Sequence, residues 1–585
     1  MKIEKAKYVI PSTFYVVWAL AFLRVIPDSY FALAPASIVT VSSAAFLLVR
    51  KIIRVVKYEW KLLAVSLTIS SFMILWMYLK YLSYETYAFD LGIFEQSLYT
   101  TAFSHRWFLD NPDMVTFYGS HPQGYVSLWN ILFSPFMLLL LPLYALFPSP
   151  LTLFTVEALV VTTASVPLKK LVEVLNPRAS RVVPYVYLGY PFLYLSSFYD
   201  FHLESFIPFF TFITLYFYLT MRWRYMWPLL VTYFTIIKVT PVLFLFSIPF
   251  LYRETREKIV ALISGAGALL YLGFSTLMEK VPYDGKLYLV KNALTTTSFH
   301  YFGLRYNLFH VLYNIPLESM YLLFLLAPLL LLPLSKPLQM LPAWVWLAYS
   351  WFSLYVPYYN DLYQYNFIVI PFLFIAFSVS NINININSFK LSLVISFLVI
   401  SSIAALTSVY GYDRGIASLE IPHIDQKIAS INEVVSHMSG VIVASNSIFP
   451  HLANSMYTFC EAPPNVTPNY VFDCIYFHSN QINHYIKNGY HVIAEIPPYV
   501  ALSRTEQSVL AFLPFNASFF VYPNNNQSFT VEPGVYNISF SRPFTGYVEG
   551  TELINATQAL IEVNSSCLNI SSYSFTYVTI NEEFI

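Results

Sequence analysis

"LLAVSLTISSFMILWMYLKYLSYETYAFDLGIFEQSLYTT", residues 62–101, joins two kinds of sequence at one point. Up to Leu79 it is uncharged and apolar over a length that suits a membrane span. Beyond Lys80 come Glu85, Asp90 and Glu95 in quick succession. Only 11% of the 585 residues are charged, so three carboxylates at the rim of a span call for a reason.

Composition points the same way. Hydrophobic residues make up 57% of the chain, aromatics 19%, and mean hydropathy is +0.57. Those values describe an α-helical polytopic membrane protein rather than a soluble globule. Lys+Arg and Asp+Glu balance at 32 each, so no basic excess points to nucleic acid. Glycine is scarce, and neither a dinucleotide fingerprint nor a P-loop is present. The nearest match, "GAGALLYLG", lies inside an apolar span. A nucleotide cradle of the usual kind is excluded. Cys460, Cys474 and Cys567 fall late in the chain, where two could pair in an oxidising compartment. No zinc-type spacing occurs.

Basic clusters set the topology, because cytoplasmic flanks collect Lys and Arg. "MKIEKAK", "RKIIRVVKYEWK", "KKLVEVLNPRASR", "MRWRY" and "RETREK" all belong inside. Residues 1–61 then form a retained hairpin of spans near 11–27 and 31–49 with a cytoplasmic loop. Residues 62–410 form the transmembrane core, with a long outer loop at 80–150. Within that loop, 126–147 reads as a re-entrant or interfacial hairpin, broken at Pro135 and Pro142. The stretch 226–252 has basic clusters at both ends, so it is expected to break at "KVTP" and lift Lys238 outward. Spans near 258–276, 317–335, 339–357, 366–380 and 389–410 follow, with "NINININS" as a polar connector.

From 411 to 585 the sequence alternates like strands, in "GVIVAS", "HVIAEI" and "FTVEPGVYNISF". All seven glycosylation-type sequons lie here, at Asn465, Asn516, Asn526, Asn537, Asn555, Asn564 and Asn569. This is an α/β or mostly-β domain, expected on the extracytoplasmic side.

With that topology the outer face gathers Glu85, Asp90, Glu95 and His121 from the first loop, and Asp200, His202 and Glu204 from "FYDFHLESF". Lys238 comes from the broken helix, and Asp361 and Tyr365 from "YYNDLYQYNF". Plainer roles exist for each. Asp90 could cap an interfacial helix whose Ile93, Phe94 and Leu98 face lipid. Glu95 and the Lys/Arg residues of 277–315 could be solvated, Lys238 could snorkel, His202 could be a bonded loop histidine, and His121 could shape a turn with Pro122. Carboxylates from two loops beneath a lysine nevertheless describe a cleft.

"FDLGIFEQSLYTT", "SHPQGYVSLWNILFSPFMLLLLPLYALFPSPLTLFTVEALV", "FHLESFIPF", "SNSIFPHLANSMYTF" and "NYVFDCIYF" resemble a prokaryotic family of predicted membrane proteins. It is catalogued as domain of unknown function twenty seventy-nine. Where that family has histidine-phenylalanine-serine-proline, this chain reads "SHPQG", which departs at His121. The family in turn looks like the GT-C superfamily of integral-membrane glycosyltransferases, an analogy at the level of fold. That resemblance implies a catalytic acid soon after the first core span, here Asp90. It implies a second acidic loop, here Asp200 and Glu204; apart from the resemblance, Glu95, His121, Asp200, His202 and Glu204 are the candidate substrate-binding or supporting residues. It also implies a basic site for the donor phosphate, here Lys238.

The expected activity is transfer of a sugar from a polyprenyl-phosphate donor to an envelope lipid, glycan or protein, with the bilayer as the other partner. No cofactor is expected. Asp90, Asp200 and Glu204 offer the oxygen ligands a Mg²⁺ or Mn²⁺ ion would need. The competing readings are a transporter or lipid flippase, and a non-catalytic envelope anchor.

Overall fold

Hydroxyl side chains one turn apart decide how the first two long spans meet. In the computed structural model, Ser66 Oγ lies 3.0 Å from Ser165 Oγ and Ser70 Oγ lies 2.6 Å from Thr162 Oγ1. These pairs join helix Tyr58–Leu82 to helix Pro150–Leu175. At the far end Glu59 pairs with Lys169 and, at 2.9 Å, with Lys170. The register is antiparallel, so Lys80 and Pro150 share the opposite end from that basic cluster. Such small polar contacts hold helices together where apolar surface gives no preference for helix over lipid.

The structure describes residues 58–583 except 105, 113–125, 252–254, 280–302, 352–355, 381–383, 411–421, 423, 425, 463–465, 475–480, 483, 497, 507–510, 513–515, 522–525, 531–533, 549–550, 564–566 and 573–575. The expected spans at 11–27 and 31–49, His121, and Lys280, Lys286, Lys291 and His300 lie outside the described residues. Two compact units are present. One comprises the described residues up to Tyr81 and Phe89–Pro422, and the other Leu82–Ala88 with His423–Ile585.

The first unit is helical. Among the described residues, four helices are long and apolar enough to cross a membrane: Tyr58–Leu82, Pro150–Leu175, Lys258–Met278 and Ile386–Ala405. Shorter apolar helices pack among them, including Met137–Leu146, Val239–Leu251 and Asn366–Ser378. The last is buried along its whole length. The stretch 126–147 contains only the short turn Leu128–Asn130 and the ten-residue helix Met137–Leu146, too short to span. Within 339–357 the described residues form the eleven-residue helix Leu341–Trp351, and 352–355 lie outside the described residues.

The break in 226–252 is present, between helices Trp223–Phe234 and Val239–Leu251. Carbonyls freed by such a break need partners in a membrane protein. Ser134 Oγ donates to Ile236 O at 2.7 Å, Phe136 N–H to Thr235 O at 3.2 Å, and Thr240 Oγ1 to Ile237 O at 2.8 Å. The 134–136 turn therefore fills the gap that the broken helix opens.

The second unit carries two sheets. One is mixed, in order β2-β1-β3-β5-β4-β6, from β1 (Ile442–Ala444), β2 (Thr458–Phe459), β3 (Tyr470–Cys474), β4 (His491–Ile496), β5 (Tyr499–Ser503) and β6 (Ala511–Phe512). β1 runs parallel to both β2 and β3. The other is antiparallel and built on residues 516–583. Cys460 and Cys474 are free thiols, so the pairing the sequence allowed does not form between them.

Leu82–Ala88 belongs to this unit through specific contacts. Tyr84 is buried, stacks on His451 with ring centroids 3.7 Å apart, and donates to Asn432 Oδ1 at 2.8 Å. Ala88 N–H reaches Asn446 O and Oδ1. Tyr84 adopts a left-handed backbone, φ 60°, a strain that an aromatic residue keeps only where its surroundings enforce it. Tyr84→Ala should destabilise this unit by about 3–5 kcal/mol, as for other buried aromatic truncations. Protease sensitivity of residues 423–583 against temperature measures it, and an unchanged profile would contradict the anchoring role.

Candidate active site

The loop "FYDFHLESF" takes its shape from its helix signals. Helix Pro191–Tyr199 ends at Asp200, whose backbone is extended. His202 is extended as well, and a tight turn at Leu203–Phe206 feeds helix Ile207–Leu219 with Pro208 in its first turn. Glu204 in that turn suits the positive end of the following helix. The extended pair turns the His202 ring towards the first outer loop.

There it meets Asp90. His202 Nε2 lies 2.9 Å from Asp90 Oδ1, and Tyr199 OH donates to Asp90 Oδ2 at 3.1 Å. His202 Nδ1 lies 3.1 Å from the Asp200 carbonyl. A carbonyl only accepts, so Nδ1 carries a hydrogen. An ionised Asp90 only accepts too, so Nε2 carries another. The partners therefore assign an imidazolium paired with a carboxylate. Burial works against that charge, but the hydrogen bond and charge of Asp90, with Glu204 and Asp200 beyond, outweigh it and raise the His202 pKa. Asp90 keeps lone pairs for a further donor.

Asp90 does not cap a helix. It sits inside a π-helical turn, Ala88–Gly92, and the cap of the following helix is Gly92, with no side-chain hydrogen bond. Nor does that helix lie on lipid, because Ile93, Phe94 and Leu98 are core residues. Glu95, expected to be solvated, is buried and its Oε1 accepts from Tyr144 OH at 3.0 Å. Desolvation, opposed by that bond, pushes the Glu95 pKa up to about 8. A strongly amphipathic helix would have left it in water, whereas this one is buried nearly all round.

Glu204 and Lys238 line one cavity of about 490 Å³, with Ile237, Val242, Leu243, Leu272 and Ile368. Trp346, Tyr349, Tyr358 and Tyr365 make its aromatic wall. Lys238 is 54% exposed and pairs with Glu279 Oε2 at 3.2 Å. Among the described residues no three His, Cys, Asp or Glu side chains are placed to hold a metal ion. Asp90, Asp200 and Glu204 therefore do not form a ready ligand set.

Two residues that the sequence reading passed over belong to this cluster. Lys80, 2% exposed, donates to the Phe198 carbonyl at 2.9 Å and to that of Tyr199. It thereby meets the negative end of helix Pro191–Tyr199. Tyr199 then packs against Tyr363, with ring centroids 4.4 Å apart and planes tilted by 47°. The Tyr363 loop is tied down by Asn366, whose Nδ2 reaches Ser196 Oγ at 2.9 Å. Asp361 in that loop is buried, and burial holds its carboxyl well above the usual carboxylate range. A charge at the end of a span is the signal that could have found Lys80. Nothing in the sequence pairs Tyr199 with Asp90.

A family model for predicted membrane proteins, DUF2079, matches residues 80–472. The chain belongs to this family. No curated protein matches the chain, and no solved structure does. The DUF2079 match opens at Lys80, so it contains Asp90, Tyr199, Asp200, His202, Glu204 and Lys238 and ends inside β3.

Two pH effects follow. Folding raises the affinity of His202 for a proton. Its contribution to stability is thus complete below the ordinary value of 6.5 and is lost as pH climbs through the raised value. The stability gap between wild type and Asp90→Asn should be widest near pH 6 and shrink as pH climbs through the raised His202 value in thermal unfolding; a constant gap would contradict the ion pair. Glu95 loses stability as pH rises from 4.5 through about 8. Glu95→Gln should match wild type near pH 4.5 and gain on it progressively up to about pH 8, and no relative gain would mean that the carboxyl is solvated.

Proposed function

We propose that this protein is an inverting membrane glycosyltransferase that moves a sugar from a polyprenyl-phosphate donor to an envelope acceptor on the outer face. The observation that carries the reading is the Asp90 carboxylate, held by His202 and Tyr199 within electrostatic reach of Glu204, which with Lys238 lines a mostly apolar cavity. A lipid-borne donor needs an apolar bed for its chain and a cation for its phosphate. It needs no nucleotide loop, and the sequence has none.

The acceptor hydroxyl oxygen attacks the anomeric carbon. The bond from that carbon to the phosphate oxygen breaks, and its electron pair leaves on the phosphate. The hydroxyl proton passes to Asp90 as the new bond forms. Lys238 offsets the charge gathering on the departing phosphate. In the resting protein Glu279 satisfies that lysine, so the donor phosphate competes with it. The four-helix set of candidate spans, the basic clusters and the sequons support placing the C-terminal domain outside the cell.

The broken helix at 235–238 would also suit a protein that moves lipid across the bilayer, and product chemistry separates the two. In proteoliposomes carrying a polyprenyl-phosphate sugar, Asp90→Asn should lower transfer by roughly 10²–10⁴-fold at unchanged expression. Lys238→Ala should raise KM, and Glu279→Gln should lower it. Full transfer by Asp90→Asn, or lipid flux with no covalent product, would overturn the reading.

A further inference from the structure

Glu157 has no part in the chemistry above, yet it is a fully buried carboxyl close to the His202 turn. It lies two turns into the span Pro150–Leu175 and is 0% exposed. Neither carboxyl oxygen closes a hydrogen bond to any described residue. The helix packs against the turn Leu203–Phe206, and the carboxyl faces the His202 backbone N–H and the Ser205 hydroxyl, with Asp200 and Glu204 as its charged neighbours. Ser205 Oγ in turn donates to the His202 carbonyl at 2.7 Å.

An acid in this setting is out of place as a core residue. A leucine would fill the volume without leaving two oxygens unbonded, and orphaned buried polar atoms cost about 1–3 kcal/mol. The groups facing it explain its retention. The backbone N–H of His202 wants an acceptor, and Ser205 can take a hydrogen bond from an acid O–H while its own hydrogen goes to the His202 carbonyl. A neutral carboxylic acid supplies both an acceptor and a donor. A carboxylate would add a negative charge beside Asp200 and Glu204, while the charged His202 ring is turned to Asp90 instead.

We infer that Glu157 is a positioning residue, a neutral acid beneath the 202–205 turn that holds the His202 ring, and through it the Asp90 carboxylate, in place. This inference rests on the transferase reading for its kinetic consequence, but its structural half does not. The tie reaches the reacting group through backbone, from Glu157 to the His202 peptide and Ser205 and from the ring to Asp90. Small displacements of a base cost rate steeply, so the acid acts on turnover more than on donor binding at Lys238.

The test uses the full chain in lipid nanodiscs with Glu157→Gln, Glu157→Leu and wild type. Glu157→Gln keeps one acceptor and one donor; Glu157→Leu keeps neither. Two readouts are taken. The first is kcat and KM for sugar transfer. The second is the ¹⁵N signal of the His202 ring across pH, assigned by its loss in His202→Gln, which needs no activity at all. Around that ring stand Asp90, Asp200, Glu204 and Tyr199.

Glu157→Gln should keep kcat within about threefold and leave the His202 midpoint unmoved. Glu157→Leu should lower kcat by roughly 10–100-fold at constant KM and broaden or shift the His202 signal. A His202 signal in Glu157→Leu identical to wild type would overturn the positioning role. A midpoint lowered by Glu157→Gln would show that Glu157 is charged and overturn the neutral-acid assignment. Should wild type transfer no sugar, the transferase reading fails alone, and the His202 signal still decides the role of Glu157.

Discussion

One contact joins the two acidic loops: the Asp90 carboxylate on the His202 ring. Asp90 and His202 are 112 residues apart along the chain, and each is presented by local structure that makes little sense alone. A π-helical turn, a motif that recurs at functional sites, carries Asp90. Backbone extended at Asp200 and His202, between helices, carries the His202 ring. A partly buried carboxylate is best met by a cation together with hydrogen-bond donors, and His202 and Tyr199 provide both. Lys80 fixes the end of the helix that supplies Tyr199. The charges of the cluster thus reinforce one another, and removing one leaves another without its partner.

The break at 235–238 follows a similar rule. Lys238 reaches the cavity only because the helix stops, and the helix can stop only because Ser134, Phe136 and Thr240 take up the freed carbonyls. Pro135 precedes the helix Met137–Leu146, which leaves the 134–136 turn free to do so, whereas Pro142, expected to break that stretch, lies inside the helix without ending it. Function in this part of the molecule is built from interruptions of helix rather than from helix faces.

Charge and length made the helical core legible. Basic clusters at both ends of 226–252 forced a break before any contact was known, and the short apolar run at 126–147 does end in a helix too short to span. The candidate site was legible as a set of charges but not as a geometry. Asp90 and His202 stood out because charge is rare in this chain. Glu95 was misjudged because its helix is buried on nearly every side, a state that composition does not distinguish from an interfacial one. Tyr199 was invisible because the chain has 48 tyrosines and only the fold selects among them. Glu157 was visible in principle, as an acid inside an apolar span, and was hidden by reading "LTLFTVEALV" for hydropathy alone. The attachment of Leu82–Ala88 to the C-terminal unit left no sequence signal, because Tyr84 and Ala88 pair with side chains some 350 residues away.

The central claim is that Asp90 and His202 stabilise each other as a charged pair. A double-mutant cycle with Asp90→Asn and His202→Gln, read as unfolding free energy of the full chain by SDS titration near pH 6.5, measures this directly. A hydrogen bond between charged, mostly buried groups predicts a coupling of roughly 1–2 kcal/mol. Single-mutant effects that simply add, to within about 0.3 kcal/mol, would mean that the two side chains do not interact and that the site does not exist as described.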